Sequence, residues 1–298
     1  MRSHNETGIT VLLQETGRKL VSPEQIVNSE RTNAMLRKVF FLVLLLSLCT
    51  ACYSQKPRAD VSGAYLLKTA WGGSEPLNMF APKGSTLGCH ASAFAQALYF
   101  HKLSPHGKVS YTCTNGTMIS EDFSEYIPQW NRFALDKESG KKDISATKET
   151  ARYIYYVASV VRKDFGTDQY IAYPNDYHKK AVESHFHCTL TAYAKNIKST
   201  IGNALKDQPD FYALLKKEID CRQPAGFYYT DRKGGGHAVI IDGYTAKDGK
   251  TFFHVNFGWL GRSDGWYLLE EDLPPNTKEI ALILIAPKDT KETAQKNN

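Results

Sequence analysis

The sequence predicts an α+β fold in two lobes, with helices first and an antiparallel sheet second. Three observations predict it. Residues 89–219 contain segments with apolar residues at helical spacing, residues 226–285 contain short apolar or alternating segments between Gly, Asp and Pro turns, and no Gly/Ser-rich linker or repeat separates the two. The 298 residues, 42% hydrophobic and 23% charged, have ordinary globular composition and can fill one large core.

In the first half, Cys89 to His101 places Ala91, Phe94, Ala95 and Leu98 at i, i+3, i+4 and i+7, a helix with one buried face. Ser145 to Val161 is a second, with Ser145 as its expected N-cap; Asp176 to Phe186 is a shorter third and Asp210 to Ile219 a fourth. Strands are expected at Gly226 to Thr230, His237 to Tyr244, Thr251 to Phe257, Gly265 to Glu270 and Ile280 to Ile285. Lys247-Asp248-Gly249-Lys250 is expected to fold the second of these back into the third.

Outside this domain, taken as 64–287, the chain reads differently. Residues 1–34 are polar and unpatterned and are read as an upstream extension outside the fold. Residues 35–52 look like an export signal: basic Met35-Leu36-Arg37-Lys38, the apolar run Val39 to Leu48, then Thr50 and Ala51 before Cys52. The run falls short of the roughly 20 apolar residues that span a bilayer. Thr50-Ala51-Cys52 also fits a bacterial lipoprotein cleavage site, although Cys49 stands where leucine is usual. A lipid on Cys52 is then the sole membrane contact expected, and the chain is expected at the outer membrane or cell surface, or otherwise secreted or periplasmic. Residues 53–63 read as a tether and 288–298 as a disordered polar tail.

Charge and cysteine usage narrow the function. The net charge of +6 contains no like-charge block beyond pairs such as Lys141-Lys142 and Lys179-Lys180, so nucleic acid is not an expected partner. Beyond Cys49 and Cys52, the cysteines at 89, 113, 188 and 221 have no C-x-x-C spacing, so neither zinc nor any cofactor is expected. Cys113, Cys188 and Cys221 read as small buried hydrophobes, with no pairing assignable. His185 and His187 alternate like metal ligands but lack a third partner.

Cys89 is different. Gly88 precedes it and a helix starts there, so the helix dipole and unpaired amides favour the thiolate, and the Cys89 amide can serve an oxyanion. His237 follows three glycines and opens a buried strand. If Tyr244 faces Thr251, position 237 faces 258, and Asn256 is a diagonal neighbour of His237 on the same face, with α-carbons roughly 7–8 Å apart. Thiol, imidazole and orienting amide, in that chain order, are the parts of a cysteine-nucleophile hydrolase. Trp259 would cover the His–Asn hydrogen bond. His254 lies on the Asn256 face but farther off, and His90 is expected to pack locally, about 100° around the helix from Cys89.

These residues resemble the streptopain family of cysteine peptidases. Gly88-Cys89-His90-Ala91-Ser92-Ala93-Phe94-Ala95-Gln96 is similar to the family's Gly-Cys-Val-Ala-Thr-Ala-x-Ala-Gln element, Gly235-Gly236-His237-Ala238-x-x-Ile241-Asp242-Gly243 to its histidine strand, and His254-Val255-Asn256-Phe257-Gly258-Trp259 with Gly261, Ser263, Asp264 and Gly265 to its His-Val-Asn-Trp-Gly-Trp segment. The resemblance runs from about Leu66 to Pro287 and implies a papain-like fold, with Cys89 as nucleophile, His237 as base and Asn256 as its orienter. It also implies a cleft bordered by Trp259 and Gly236 and lined by Gly261 and Ser263, acting on proteins or peptides.

Two departures stand out. The family's upstream Asn-Gln-x-x-Pro-Tyr-Asn reads Gly72-Gly73-Ser74-Glu75-Pro76-Leu77-Asn78 here, with Gly73 in place of the glutamine that donates to the oxyanion. Losing one such donor costs roughly 10²–10³ in turnover. Family zymogens also carry a long inhibitory N-terminal domain, for which Tyr53 to Gly63 leaves no room, so restraint is expected from a separate protein inhibitor or from low activity. The expected function is an exported cysteine endopeptidase. The alternative is a weakened or inactive homologue that binds peptides or proteins, and a third reading is a cell-wall amidase using the same Cys–His pair.

Overall fold

The computed structural model describes residues 56–82, 84–167, 176–195, 205–207, 210–230, 236–272 and 279–288. The extension at 1–34, the signal with Cys52, Gly234 and Gly235 of the glycine run, and the tail from 289 onward lie outside the described residues. Among the described residues, no helix is long and apolar enough to cross a membrane.

Helix α1 (Gly88–Phe100) is followed by a hairpin of β1 (Lys108–Thr112) and β2 (Met118–Asp122), then α2 (Lys137–Lys142), α3 (Ile144–Val160) and α4 (Asp176–Phe186). Strands β3 (Cys188–Lys195) and β4 (Leu205–Asp207) precede α5 (Phe211–Asp220). The rest is β5 (Ala225–Thr230), β6 (Gly236–Lys247), β7 (Lys250–Asn256), β8 (Gly265–Tyr267), α6 (Leu269–Asp272) and β9 (Glu279–Pro287). Among the described residues, seven strands form one sheet in the order β4-β3-β9-β5-β6-β7-β8, antiparallel except for the β3–β4 pair at one edge. The helical half and the sheet share a core that runs from Leu98, Ile154 and Val157 to Ala238, Ile240 and Ile283.

Helix α1 is buried on nearly every side, not on one face as its periodicity predicts. Alanines at 91, 93, 95 and 97 let the sheet and α3 approach closely, and a helix covered all round is a core helix. For α3 the cap is Asp143, not Ser145: its carboxylate accepts from the amides of Ser145 (2.8 Å) and Ala146 (3.1 Å). The strand expected through Glu270 ends at Tyr267, where Asp272 accepts from the Leu268 amide and starts a short helix. The β1–β2 hairpin carries too few apolar residues in sequence to signal itself, whereas β3 does alternate, with Cys188, Leu190 and Ala192 buried, and was not predicted.

The stretch expected to act as a tether is instead held to the sheet from Arg58 onward. Val61 packs with Phe252, Trp266 and Leu268, the Arg58 amide donates to the Trp266 carbonyl (2.9 Å), and Asp60 pairs with Lys247. The sequence understated this because one valine carries the apolar contact. Cys89, Cys113, Cys188 and Cys221 are all free; Cys113 and Cys188 are buried as expected, whereas Cys221 is exposed.

The β6–β7 register decides the site. Asp248 and Gly249 both have left-handed φ (50° and 73°), so two residues close the turn and Tyr244 faces Phe253. A bulge at Asp242 then shifts the pairing by one, and Asn256 lands opposite Ile240. The expected pairing of Tyr244 with Thr251 is therefore displaced. Asn256 shares its face with Ile240 and Ala238, the face that meets α1, while His237 belongs to the alternate set.

Candidate active site

Cys89 stands in the first turn of α1. Leu87 at the N-cap makes no side-chain cap, so the opening amides of the helix remain available to a charged group. Gly88 has φ +83°, a left-handed turn that only glycine enters without strain, and it sets the start of the helix. Cys89 is half-buried as a residue, with its thiol turned inward. Burial pushes it upward, while the backbone amide of Ala238, the residue after His237, and the amides of His90 and Cys89 favour the thiolate. The Ala238 amide shows that the sulfur lies beside the start of β6.

His237 is buried, and desolvation draws its imidazole down to about 4, opposed by a backbone hydrogen bond at Phe257. Its Nε2 lies 2.9 Å from the Phe257 carbonyl oxygen. A carbonyl only accepts, so Nε2 carries the hydrogen and Nδ1 is the lone-pair nitrogen of the neutral ring. Trp259 stacks on this imidazole with centroids 4.7 Å apart, and Arg262 lies over the indole at 5.5 Å. The indole thus covers the imidazole, where the sequence suggested it would cover a His–Asn bond.

Asn256 does not orient the imidazole directly. Its Nδ2 donates to the Thr69 carbonyl (2.7 Å) and to Gln96 Oε1 (3.0 Å), and its Oδ1 accepts from the Gly258 amide (3.0 Å) and from Gln96 Nε2 (3.2 Å). The face change forced by the turn and bulge is the physical reason, and the Phe257 carbonyl takes the place expected for the carboxamide.

Gly73 also differs from expectation. A Cβ there would lie 2.7 Å from the Gly88 nitrogen and 3.1 Å from its carbonyl oxygen, and the Gly73 carbonyl accepts from the Leu87 amide (2.8 Å). The position abuts the peptide just before Cys89, so it has no room for a glutamine. Gly72 pairs with Trp259 and the Leu260 amide donates to the Trp71 carbonyl, joining this segment to the 259–265 loop. In that loop Gly261 (φ +82°) and Ser263 (φ +69°) make left-handed turns, and Ser263 is held through its carbonyl by Tyr267 Oη (2.6 Å). Gly236 lies against Tyr228, whose hydroxyl would be 2.2 Å from a Cβ at 236.

His90, expected to pack locally, has its Nδ1 4.0 Å from the Cys89 sulfur and its ring stacked on Tyr228, and burial draws it down to about 3. Two other groups were named in the sequence only as motif letters. Asp264 accepts from the Phe257 amide (2.7 Å), and burial raises its carboxyl to about 6. Gln96, wholly buried on α1, was quoted only as part of a motif. His254 is not part of this group: its Nδ1 pairs with Asp242 (2.7 Å) and its ring stacks on Tyr65.

A peptidase C10 family model matches residues 71–267, which contain Gly73, Cys89, Gln96, His237, Asn256 and Trp259. The chain belongs to the peptidase C10 family. Among relatives of this C10 chain, streptopain of Streptococcus pyogenes is 28% identical over 200 residues, covering 64% of this chain and 47% of the relative. The thiol protease/hemagglutinin PrtT of Porphyromonas gingivalis is 26% identical over 238 residues, covering 72% of this chain and 26% of PrtT. The chain thus spans about half the length of streptopain and a quarter of PrtT. Among solved structures, the active wild-type interpain A cysteine protease of Prevotella intermedia superposes with TM-score 0.59 at 21% identity, covering 78% of this chain and 96% of interpain A. That likeness establishes the fold as the papain-like α+β architecture expected of C10 peptidases.

Proposed function

We propose that this chain is an exported cysteine endopeptidase in which Cys89 is the nucleophile and His237 the base. The observation that carries it is an uncapped helix start bearing a thiol beside the Ala238 amide, together with the preceding residue's imidazole, whose Nε2–H is spent on the Phe257 carbonyl. That bond fixes the tautomer, so Nδ1 is the nitrogen that takes the thiol proton. The thiolate adds to the peptide carbonyl carbon, and the negative oxygen forms within reach of the Cys89 amide. The tetrahedral species collapses, the imidazolium gives its proton to the departing amine, and a thioester remains. Neutral His237 then deprotonates water, which adds to the thioester and releases the carboxylic acid and the thiol. Trp259 over the imidazole keeps bulk water off the Nε2 bond.

Export rests on the segment 35–52, with a lipid on Cys52 as its anchored form. Casein hydrolysis with a Cys89→Ala control tests the peptidase reading, together with iodoacetamide labelling of the parent and of His237→Ala. Cleavage that survives Cys89→Ala, or labelling indifferent to His237, would overturn it.

A second reading, a weakened homologue that binds peptides, is favoured by the burial that raises the thiol and lowers the imidazole, which stabilises the neutral pair at rest. It fails if the parent hydrolyses casein at ordinary peptidase rates, with kcat on the order of 1–10³ per second.

A further inference from the structure

Gln96 lies seven residues beyond Cys89 on α1, two turns along the same side of the helix. A carboxamide in the centre of a core helix is costly unless its hydrogen-bonding capacity is met. Here Oε1 accepts from Thr69 Oγ1 (2.8 Å), the Trp71 amide (3.3 Å) and Asn256 Nδ2 (3.0 Å), while Nε2 donates to Asn256 Oδ1 (3.2 Å). The two carboxamides therefore face each other with paired donors and acceptors.

Asn256 Oδ1 also accepts from the Gly258 amide at 3.0 Å. That N–H and the Phe257 carbonyl are opposite ends of one planar peptide, so holding the first fixes the direction of the second. The second is the carbonyl that receives His237 Nε2–H at 2.9 Å.

We propose that Gln96 and Asn256 form a strut by which the nucleophile's own helix sets the orientation of the base. The line runs from α1 through Gln96 to Asn256, then across the Phe257–Gly258 peptide to His237. Both are positioning residues, since neither touches the reacting atoms. The arrangement gives sulfur and imidazole a common rigid reference even though they come from separate halves of the fold. Successive hydrogen bonds polarise one another, so the Phe257 carbonyl is also a better acceptor than an unsupported one. This inference rests on the reading of Cys89 and His237 as the reacting pair.

Two variants test it. Gln96→Glu keeps the accepting oxygen and the shape but replaces the amide donor that faces Asn256 Oδ1. A carboxyl at that buried position is protonated well above the usual carboxylate range. In its acid form it donates as the amide did; once ionised it repels Asn256 Oδ1. Its bonded partners Thr69, Trp71 and Asn256 do not titrate in this range, while Cys89, His90, His237 and Asp264 titrate in the parent as well and cancel in the comparison.

The expected result is a Gln96→Glu kcat close to the parent at acid pH that falls roughly 10- to 100-fold as pH rises, with KM changing little. Asn256→Ala is expected to lose about 10²-fold in kcat at every pH, the order of loss that follows a displaced catalytic group. Cys89 alkylation by iodoacetamide needs no peptide turnover, and its pH profile should move by about one unit in both variants, equivalent to a tenfold change in equilibrium. Thermal melts at each pH establish that the protein assayed is folded; if Asn256→Ala does not fold, Gln96→Glu alone decides. A folded Gln96→Glu whose kcat and alkylation profiles parallel the parent across the pH range overturns the strut. A parent that cleaves nothing, with alkylation still dependent on His237 and shifted in Gln96→Glu, overturns the peptidase reading and upholds the strut.

Discussion

His90 stands beside Cys89 where the streptopain motif has valine, and its Nε2 is buried without a hydrogen-bond partner. Burial holds its imidazole down at about 3, with His178 and His237 adding repulsion. Above pH 6.5 neither folded nor unfolded chain protonates this ring, so it has no effect there. Below that, the unfolded chain takes a proton that the folded chain refuses until about pH 3, and stability is lost as pH falls through this window. His90→Val is expected to flatten the fall of Tm between pH 6.5 and 4 relative to the parent, read by thermal melts across that range; a slope equal to the parent's would show that the ring escapes to solvent. Gly73 gives a second expectation. Because a Cβ there meets the Gly88 peptide, Gly73→Gln should slow Cys89 alkylation and lower Tm, where a missing oxyanion donor would have predicted a gain in turnover. Cys89, His237 and Trp259 were each marked in the sequence by their neighbours: a glycine at a helix start, a glycine run before a buried strand, and a Gly-Trp pair after Phe257. The Phe257 carbonyl was not, because a backbone group leaves no letter of its own, and Gln96 was masked by lying among alanines that explain themselves as core.

At the scale of elements, periodicity identified all the long helices and every strand of the β5–β9 half, and it placed Asn256 on the wrong face. The failure is instructive. Residue alternation fixes which positions share a face within one strand, but the pairing of two strands depends on how many residues the turn and any bulge consume. Lys247-Asp248-Gly249-Lys250 could be recognised as a turn, yet nothing in the letters revealed that Asp242 would be an extra residue. The turn itself makes a clean test. Gly249 sits at φ +73°, so Gly249→Ala forces a side chain into the left-handed region at a cost of about 1–2 kcal/mol. Its Tm should fall by several degrees. kcat at 25 °C should stay at the parent value, because the bulge and the 256–258 network fix the catalytic end of the hairpin independently. A drop in kcat alongside Tm would mean that the register is set at the turn alone.

Across the whole domain, the 56–67 segment ties the sheet to the site. Val61 closes a small cluster with Phe252, Trp266 and Leu268; farther along, the Leu66 amide donates to the Asp242 carbonyl (2.9 Å) and the Leu67 amide to Asp242 Oδ2 (2.8 Å). Asp242 is fully buried and holds His254 with its other oxygen, so the bulge that moves Asn256 is itself pinned by this segment. Thr69, two residues on, accepts from Asn256. A stability effect and a catalytic effect can therefore be separated by where the chain is cut or changed. A chain beginning at Ala64 loses Val61, whose burial contributes about 2 kcal/mol, and keeps Leu66, Leu67 and Thr69. Compared with one beginning at Lys56, it should melt about 5 °C lower and hydrolyse casein at the same kcat below its transition. Asp242→Ala removes the acceptor for both His254 and Leu67 and leaves two buried donors unpaired, at roughly 1–3 kcal/mol each. It should cost both stability and kcat, because the bulge then has nothing to hold it. Equal melting of the two truncations would show that residues 56–63 merely lie on the sheet; an unchanged kcat in Asp242→Ala would detach the bulge from the site.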